Sequence, residues 1–267
     1  MSEPAHTPGK RETKYDRWRP LYHQLAVLDV DQQDLRHAPE VIARLRELGW
    51  EVTPKVFDSY WKRVQWIADR CRGRVLEVGC GLGNVTRWIA GNPKVTAVVA
   101  VDRLADYIRT LESFQWAKVM PVCADAAAGA PESKLRGPFD TVVLAEVIEH
   151  LVLSEEVAII AAVLPRLAAQ AQWLISTPVG FMPDSDHRRG FGRRAFRNHV
   201  RALYGPIKAS GDNGLQQYVA CDTRGGRRRL GLRFRALAAR LVAWFALLTR
   251  MAKKALGRTR RSVSACP

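Results

Sequence analysis

The sequence predicts an α/β fold, a mixed but largely parallel sheet with helices on both faces, and two observations carry that prediction. From Gly73 onward, short β-rich runs alternate with helical stretches, the order that a parallel sheet with crossover helices requires. The first of these runs also feeds directly into a glycine-rich turn that opens a helix, where such sheets form a ligand crevice. At 267 residues and 47% hydrophobic content the chain supplies one full α/β core with extensions and argues against two large domains.

Taken in order, residues 1–20 are polar, include Lys10, Arg11, Lys14, Arg17 and Arg19, and are expected to be disordered or loosely attached. Two helical patterns follow. Residues 37–48 place Val41, Ile42, Leu45 and Leu48 on one face, and residues 54–71 do the same with Val56, Trp61, Val64 and Ile67, so both should pack on the domain that follows. The expected strands are 74–78, 96–101, 118–123, 140–144 and 173–176, then an antiparallel hairpin of 205–210 and 215–221 joined through residues 211–214. This divides the chain into N-terminal tail and helices (1–72), core (73–222) and a C-terminal extension (223–267).

The charge is unevenly placed. The chain holds 42 Lys+Arg against 26 Asp+Glu, yet residues 1–183 balance at 22 of each, while residues 223–267 carry 13 basic residues and no acidic one. The core is therefore not a basic protein, and a polyanionic partner is expected at the tail. The five cysteines (Cys71, Cys80, Cys123, Cys221, Cys266) show neither CxxC nor zinc spacing and read as reduced, mostly buried thiols. With no apolar leader pattern at the start, the expected location is cytoplasmic.

The strongest local signal is Val75-Leu76-Glu77-Val78-Gly79-Cys80-Gly81-Leu82-Gly83-Asn84. Glycines let backbone approach a nucleotide-type ligand closely. Asn84 occupies the position of the third glycine of a dinucleotide fingerprint, which disfavours NAD and FAD. Asp102 ends the second strand and can accept from ribose hydroxyls, and Asp125 follows the third strand and can accept from an adenine amino group. Either alone also reads as a cap or loop residue.

In this order, residues 73–221 resemble the class I S-adenosylmethionine-dependent methyltransferases. Glu77 with Gly79, Gly81 and Gly83 is similar to their first motif, Asp102 to their ribose-binding acid and Asp125 to their adenine-side residue. The run from Phe139 to Leu151 is similar to their fourth motif, and Ser176-Thr177-Pro178 is also typical. The resemblance implies a Rossmann-like seven-stranded sheet with a reversed last strand, and S-adenosylmethionine as cofactor.

Within the fourth motif, Glu146-Val147-Ile148-Glu149-His150-Leu151 resembles ubiquinone-biosynthesis O-methyltransferases and small-RNA 3′-terminal 2′-O-methyltransferases. In those groups the matching carboxylates and histidine bind a divalent metal that positions an acceptor hydroxyl. If residues 146–150 form a helical turn, Glu146, Glu149 and His150 share a face and could hold Mg²⁺. The plainer account is a solvated first helical turn favoured by the helix dipole, with His150 lining the pocket. His187 is a candidate fourth ligand or general base, so that Glu146, His150 and His187 are the catalytic candidates. A solvated histidine beside Asp184, Asp186, Arg188 and Arg189 also explains it.

Residues 187–201 run from a loop into an amphipathic helix whose arginines, interleaved with Phe191 and Phe196, could bind an anionic substrate or form a solvated face. In the tail, Leu230, Phe234, Leu237, Leu241, Trp244, Phe245, Leu248 and Met251 recur at helical spacing among basic residues. The most apolar stretch, 236–249, falls short of the roughly 20 residues that span a bilayer. A basic amphipathic helix at a membrane surface through residues 228–255 is expected, or one docked on the protein itself or a second subunit. The first functional expectation is thus O-methylation of a small-molecule, lipid-linked or glycan-type acceptor, peripheral at the inner face of a membrane. An RNA 2′-O-methyltransferase and a non-catalytic membrane-associated adaptor are the alternatives. The intact Gly79, Gly81, Gly83 and Asp102 argue against the adaptor.

Overall fold

The computed structural model describes residues 54–128, 135–181 and 187–223. The expected helix at 37–48, the N-terminal tail and the basic amphipathic extension from 224 onward lie outside these residues. Helix α1 (Pro54–Arg70) leads into strand β1 (Gly73–Val78), then α2 (Thr86–Gly91), β2 (Val95–Asp102), α3 (Ala105–Ser113), β3 (Val119–Cys123) and β4 (Phe139–Ala145). After β4 come a single 3₁₀ turn (Ile148–His150), α4 (Leu153–Val163), β5 (Leu167–Pro178), α5 (Arg193–Leu203), β6 (Ile207–Asp212) and β7 (Gln216–Asp222).

The strands form one seven-stranded sheet in the order β3-β2-β1-β4-β5-β7-β6. All neighbouring pairs from β3 to β5 are parallel, and β7 runs antiparallel to both β5 and β6. The seven-stranded mixed sheet with a reversed last strand is therefore present.

Strand alternation sorts the apolar residues onto two faces. Val75, Val98, Ala100, Val143 and Leu174 pack with Trp61, Val64 and Ile67 of α1, Ile89 of α2, and Ile108 and Leu111 of α3. Leu76, Val99, Val101, Val142, Leu144 and Trp173 pack with Ile159, Ile160 and Val163 of α4, and with Phe196, Val200 and Tyr204 around α5. Helix α1 thus belongs to the sheet's own core, on the face its sequence pattern foretold.

The terminal hairpin departs from expectation at its turn. Gly211 and Asp212, read as loop, are the end of β6 and pair with Tyr218 and Gln217. A Cβ on Gly211 would lie 2.0 Å from the Tyr218 ring, so this glycine makes room for a cross-strand aromatic within the strand. The turn itself is Asn213-Gly214-Leu215, closed by Asn213 Oδ1 accepting from the amides of Leu215 (3.1 Å) and Gln216 (2.7 Å).

Ile67 is fully buried between α1 and the sheet. Truncating Ile67→Ala is expected to cost about 2–5 kcal/mol in denaturant unfolding. A loss well under 1 kcal/mol would mean that α1 is not part of the cooperative unit.

Candidate active site

The sheet's order reverses between β1 and β4, which leave it in neighbouring positions while their chains continue to opposite sides. That divergence opens a crevice at the strand C-termini. Gly79, Gly81 and Gly83, in the turn after β1, all have positive φ (+74°, +55° and +88°). At Gly79 a Cβ would lie 2.6 Å from Val147 Cγ2, so the glycine turn and the turn after β4 touch, and the two halves of the sequence signal form one site.

Asp102, at the end of β2, accepts the amide of Gly81 on Oδ2 (3.0 Å) and that of Leu104 on Oδ1 (2.9 Å). Each oxygen retains a lone pair. Asp125 is exposed, and its Oδ1 accepts from the amides of Ala127 (2.9 Å) and Ala128 (3.3 Å), the turn-capping role that its residue type also favours, leaving Oδ2 for a ligand.

Glu77 lies beneath the glycine turn, 2% exposed, with no hydrogen-bond partner for Oε2 among the described residues. Burial, reinforced by the charge of Asp102 and opposed by Thr86 and Arg63, pushes its pKa up to about 7.

On the acceptor side the expected helical turn does not form. Glu146 takes φ +57°, a backbone region that side chains other than glycine rarely adopt, and the helical geometry that follows is one 3₁₀ turn, Ile148–His150. Glu146 is turned instead toward β5 and β7. Ser176 Oγ donates to its Oε1 (2.8 Å), Gln216 Nε2 to its Oε2 (3.3 Å), and the Arg63 guanidinium stands 3.7 Å away.

The side chains that do converge are Glu149, His150 and His187, whose ligand-type atoms lie within 4.8 Å of one another. The two imidazoles meet edge to face with centroids 4.6 Å apart. Glu146 is not in this group, because the chain leaves β4 in a left-handed turn where the spacing argument assumed a helix, whereas His187, the candidate fourth ligand, is. Glu149 is 1% exposed; Thr177 donates to its Oε2 (3.1 Å), and its Oε1 has no hydrogen-bond partner among the described residues. Burial and the neighbouring Glu146 carboxylate push its pKa well above the usual range.

His187 owes its position to groups the sequence did not single out. The amides of Arg188 (2.8 Å) and Arg189 (3.1 Å) donate to the Glu149 carbonyl, and Gly180 and Phe191 exchange two backbone hydrogen bonds. Buried Gln217 donates to the carbonyls of Phe191 (2.6 Å) and Pro178 (3.2 Å). Beneath the loop, Glu156 is fully buried and accepts from Arg189 Nη2 (2.6 Å) and Tyr204 Oη (2.7 Å), with His199 Nε2 2.8 Å from its Oε1.

Much of the arginine-rich segment is therefore structural. Arg189 pairs with Glu156, Arg188 with Glu155 and Arg193 with Asp212. A signal for Glu156 was available in principle, a lone acid on the apolar α4 face, but nothing in the spacing named its three partners.

Two outcomes test these assignments. Glu77 holds its proton up to about pH 7 when folded and loses it near 4.5 when unfolded, so its contribution favours folding below about 4.5 and is lost as pH rises through 7. Glu77→Gln is expected to flatten that fall in a pH series of denaturant titrations on ligand-free protein. Glu156→Ala, which strands Arg189 and the Tyr204 hydroxyl, is expected to cost about 3–5 kcal/mol by the same titration at neutral pH.

The model of the methyltransferase domain family matches residues 38–201 of the chain. A comparison with curated proteins found no match. Among solved structures, the DhpI complex with SAH is similar at 18% identity and a TM-score of 0.53, covering 78% of this chain and 98% of that one. The magnesium protoporphyrin IX methyltransferase (ChlM) from Synechocystis PCC 6803 with bound SAH is similar at 15% identity and a TM-score of 0.52, covering 79% and 94%. At these identities the likeness speaks to the fold, and the family match speaks to the activity. With the glycine turn, Asp102 and the reversed β7 in place, the chain belongs to the methyltransferase domain family and is an S-adenosylmethionine-dependent methyltransferase.

Proposed function

We propose that the protein methylates a hydroxyl of a small-molecule, lipid-linked or glycan-type acceptor, with a divalent cation held by Glu149, His150 and His187. The observation that carries this reading is the convergence of those three side chains beside the turn that touches the glycine loop. The likeness of Glu146 to Leu151 to O-methyltransferase motifs supports it.

The residues suit the cofactor. Gly79 and Gly83, with positive φ and no room for a Cβ against Val147 and Leu111, let the turn take a shape that side-chain-bearing residues would not, Asp102 keeps one lone pair per oxygen for ribose hydroxyls, and the unpaired Glu77 Oε2 is an acceptor for a ligand donor. S-adenosylmethionine, when bound, supplies a methyl group made electrophilic by its sulfonium. What the chain contributes is alignment of the acceptor with that methyl and exclusion of competing water.

The residues also suit a cation. One carboxylate and two imidazoles suit a first-row divalent ion such as Mn²⁺ completed by water better than Mg²⁺, which prefers an all-oxygen shell, and the unpartnered Oε1 of Glu149 is the acceptor that such an ion satisfies. A cation there would lower the acceptor hydroxyl's pKa. Glu146, fixed by Ser176, Gln216 and Arg63, then acts as a buttress that keeps the turn after β4 in its strained conformation. Methylation of an RNA 2′-hydroxyl uses the same groups and is the second reading, favoured by the same hexapeptide; acceptor trials with short RNA ends and with lipid extracts separate the two.

Asp102→Ala is expected to weaken S-adenosylmethionine binding in calorimetry, and an unchanged affinity would remove Asp102 from the site. His187→Ala and Glu149→Gln are expected to leave that affinity within about threefold while lowering transfer by about a hundredfold or more. Chelation should abolish wild-type transfer and added Mg²⁺ or Mn²⁺ restore it. Transfer that is indifferent to chelator would overturn the cation reading.

A further inference from the structure

Away from the crevice, the described residues carry one strongly charged face that neither the site nor the internal ion pairs use. On α5, Arg194, Arg197 and Arg201 are exposed at positions i, i+3 and i+7, opposite the buried Phe196 and Val200. Lys208, exposed on the edge strand β6, adds a fourth charge at the adjoining end. The acid on the neighbouring hairpin, Asp212, already receives Nε and Nη2 of Arg193, and the charge of Arg197 reaches it only as a secondary influence.

The chain also leaves the described fold at the foot of this row. The Asp222 amide donates to the Pro206 carbonyl (3.3 Å), just past the end of α5, and the charge of Arg201 reaches Cys221 on β7. The sequence that follows, residues 224–267, holds 13 Lys+Arg and no acid, interleaved with Phe234, Leu241, Trp244 and Phe245.

We infer that Arg194, Arg197, Arg201 and Lys208 form a docking face for an anionic phospholipid surface, continuous with the basic sequence that leaves the fold beside them. Charge complementarity selects a polyanion. The apolar residues interleaved in the adjoining sequence select a bilayer, into whose headgroup region they can insert, over a nucleic acid. The rings of α5 offer no stacking platform for bases, since Phe196 is buried and His199 is turned to Glu156. The face begins at the N-terminal end of α5, a short step along the chain from His187. Among the described residues no helix is long and apolar enough to cross a membrane. The docking rests on the reading above only for its purpose, the delivery of a lipid-linked acceptor.

The test is co-sedimentation of the full chain with phosphatidylcholine vesicles, with and without phosphatidylglycerol, across a salt series. Wild type should bind the anionic vesicles alone and lose them as salt rises. R194E/R197E/R201E should weaken that binding by roughly a hundredfold, while its affinity for S-adenosylmethionine, and its transfer to a soluble acceptor, stay at wild-type level. Those two readouts separate a failure of docking from a failure of the catalytic reading. Wild-type binding by the triple variant would overturn the inference, as would competition in which a short RNA displaces the vesicles and the variant loses only the RNA.

Discussion

The parallel pairing of β1 with β4 is the constraint on which the rest of the molecule depends. Val75, Leu76 and Glu77 stand in register with Thr141, Val142 and Val143, and from that shared edge the chain goes one way to β2 and β3 and the other way to β5, β7 and β6. Two loops that leave adjacent strands must therefore part, and they part over a crevice at the strand ends. The contact between Gly79 and Val147 lies at the point where they separate. Everything with chemical character, from Glu77 and Asp102 on one side to Glu149 and His150 on the other, is arranged around it.

Three buried glutamates show how the same residue type is put to different ends. Glu156 accepts from Arg189 and Tyr204 and meets His199, and these partners draw its pKa below the ordinary value although burial opposes them. It is satisfied by the protein and acts as a clasp between α4, α5 and the loop of His187. Glu77 and Glu149 are as deeply buried, yet each keeps an oxygen without a hydrogen-bond partner among the described residues, and each has its pKa raised. A buried carboxylate that the fold leaves incomplete is expensive unless a ligand completes it. The two incomplete ones flank the crevice and the complete one lies beneath it, which is the distribution expected if the cofactor and the proposed cation supply the missing partners.

The cofactor half of the site was legible because it is local. Strand, glycine turn and helix follow one another within a dozen residues, and Asp102 and Asp125 sit at strand ends that the alternation of apolar runs already located. The acceptor half was legible only in part. Glu149, His150 and His187 could be named, but their grouping depends on a left-handed residue at Glu146, and the preference for helical spacing gave no warning of it. Ser176, Gln216 and Arg63 hold Glu146 in that turn from three separate segments of the chain.

The sheet, its two apolar faces and the glycine turn are written in the order of residues along the chain, because periodicity and the steric freedom of glycine act between near neighbours. Which charges find a partner within the protein and which remain for ligands is settled by the folded arrangement alone. Arg188, Arg189 and Arg193 looked equivalent to Arg194, Arg197 and Arg201 along the chain, yet the first three meet Glu155, Glu156 and Asp212, Arg188 and Arg193 doing so at the surface, while the second three are exposed outside those pairs. Pairing between charges far apart in sequence depends on distance in space, and that distance exists only once the chain has folded.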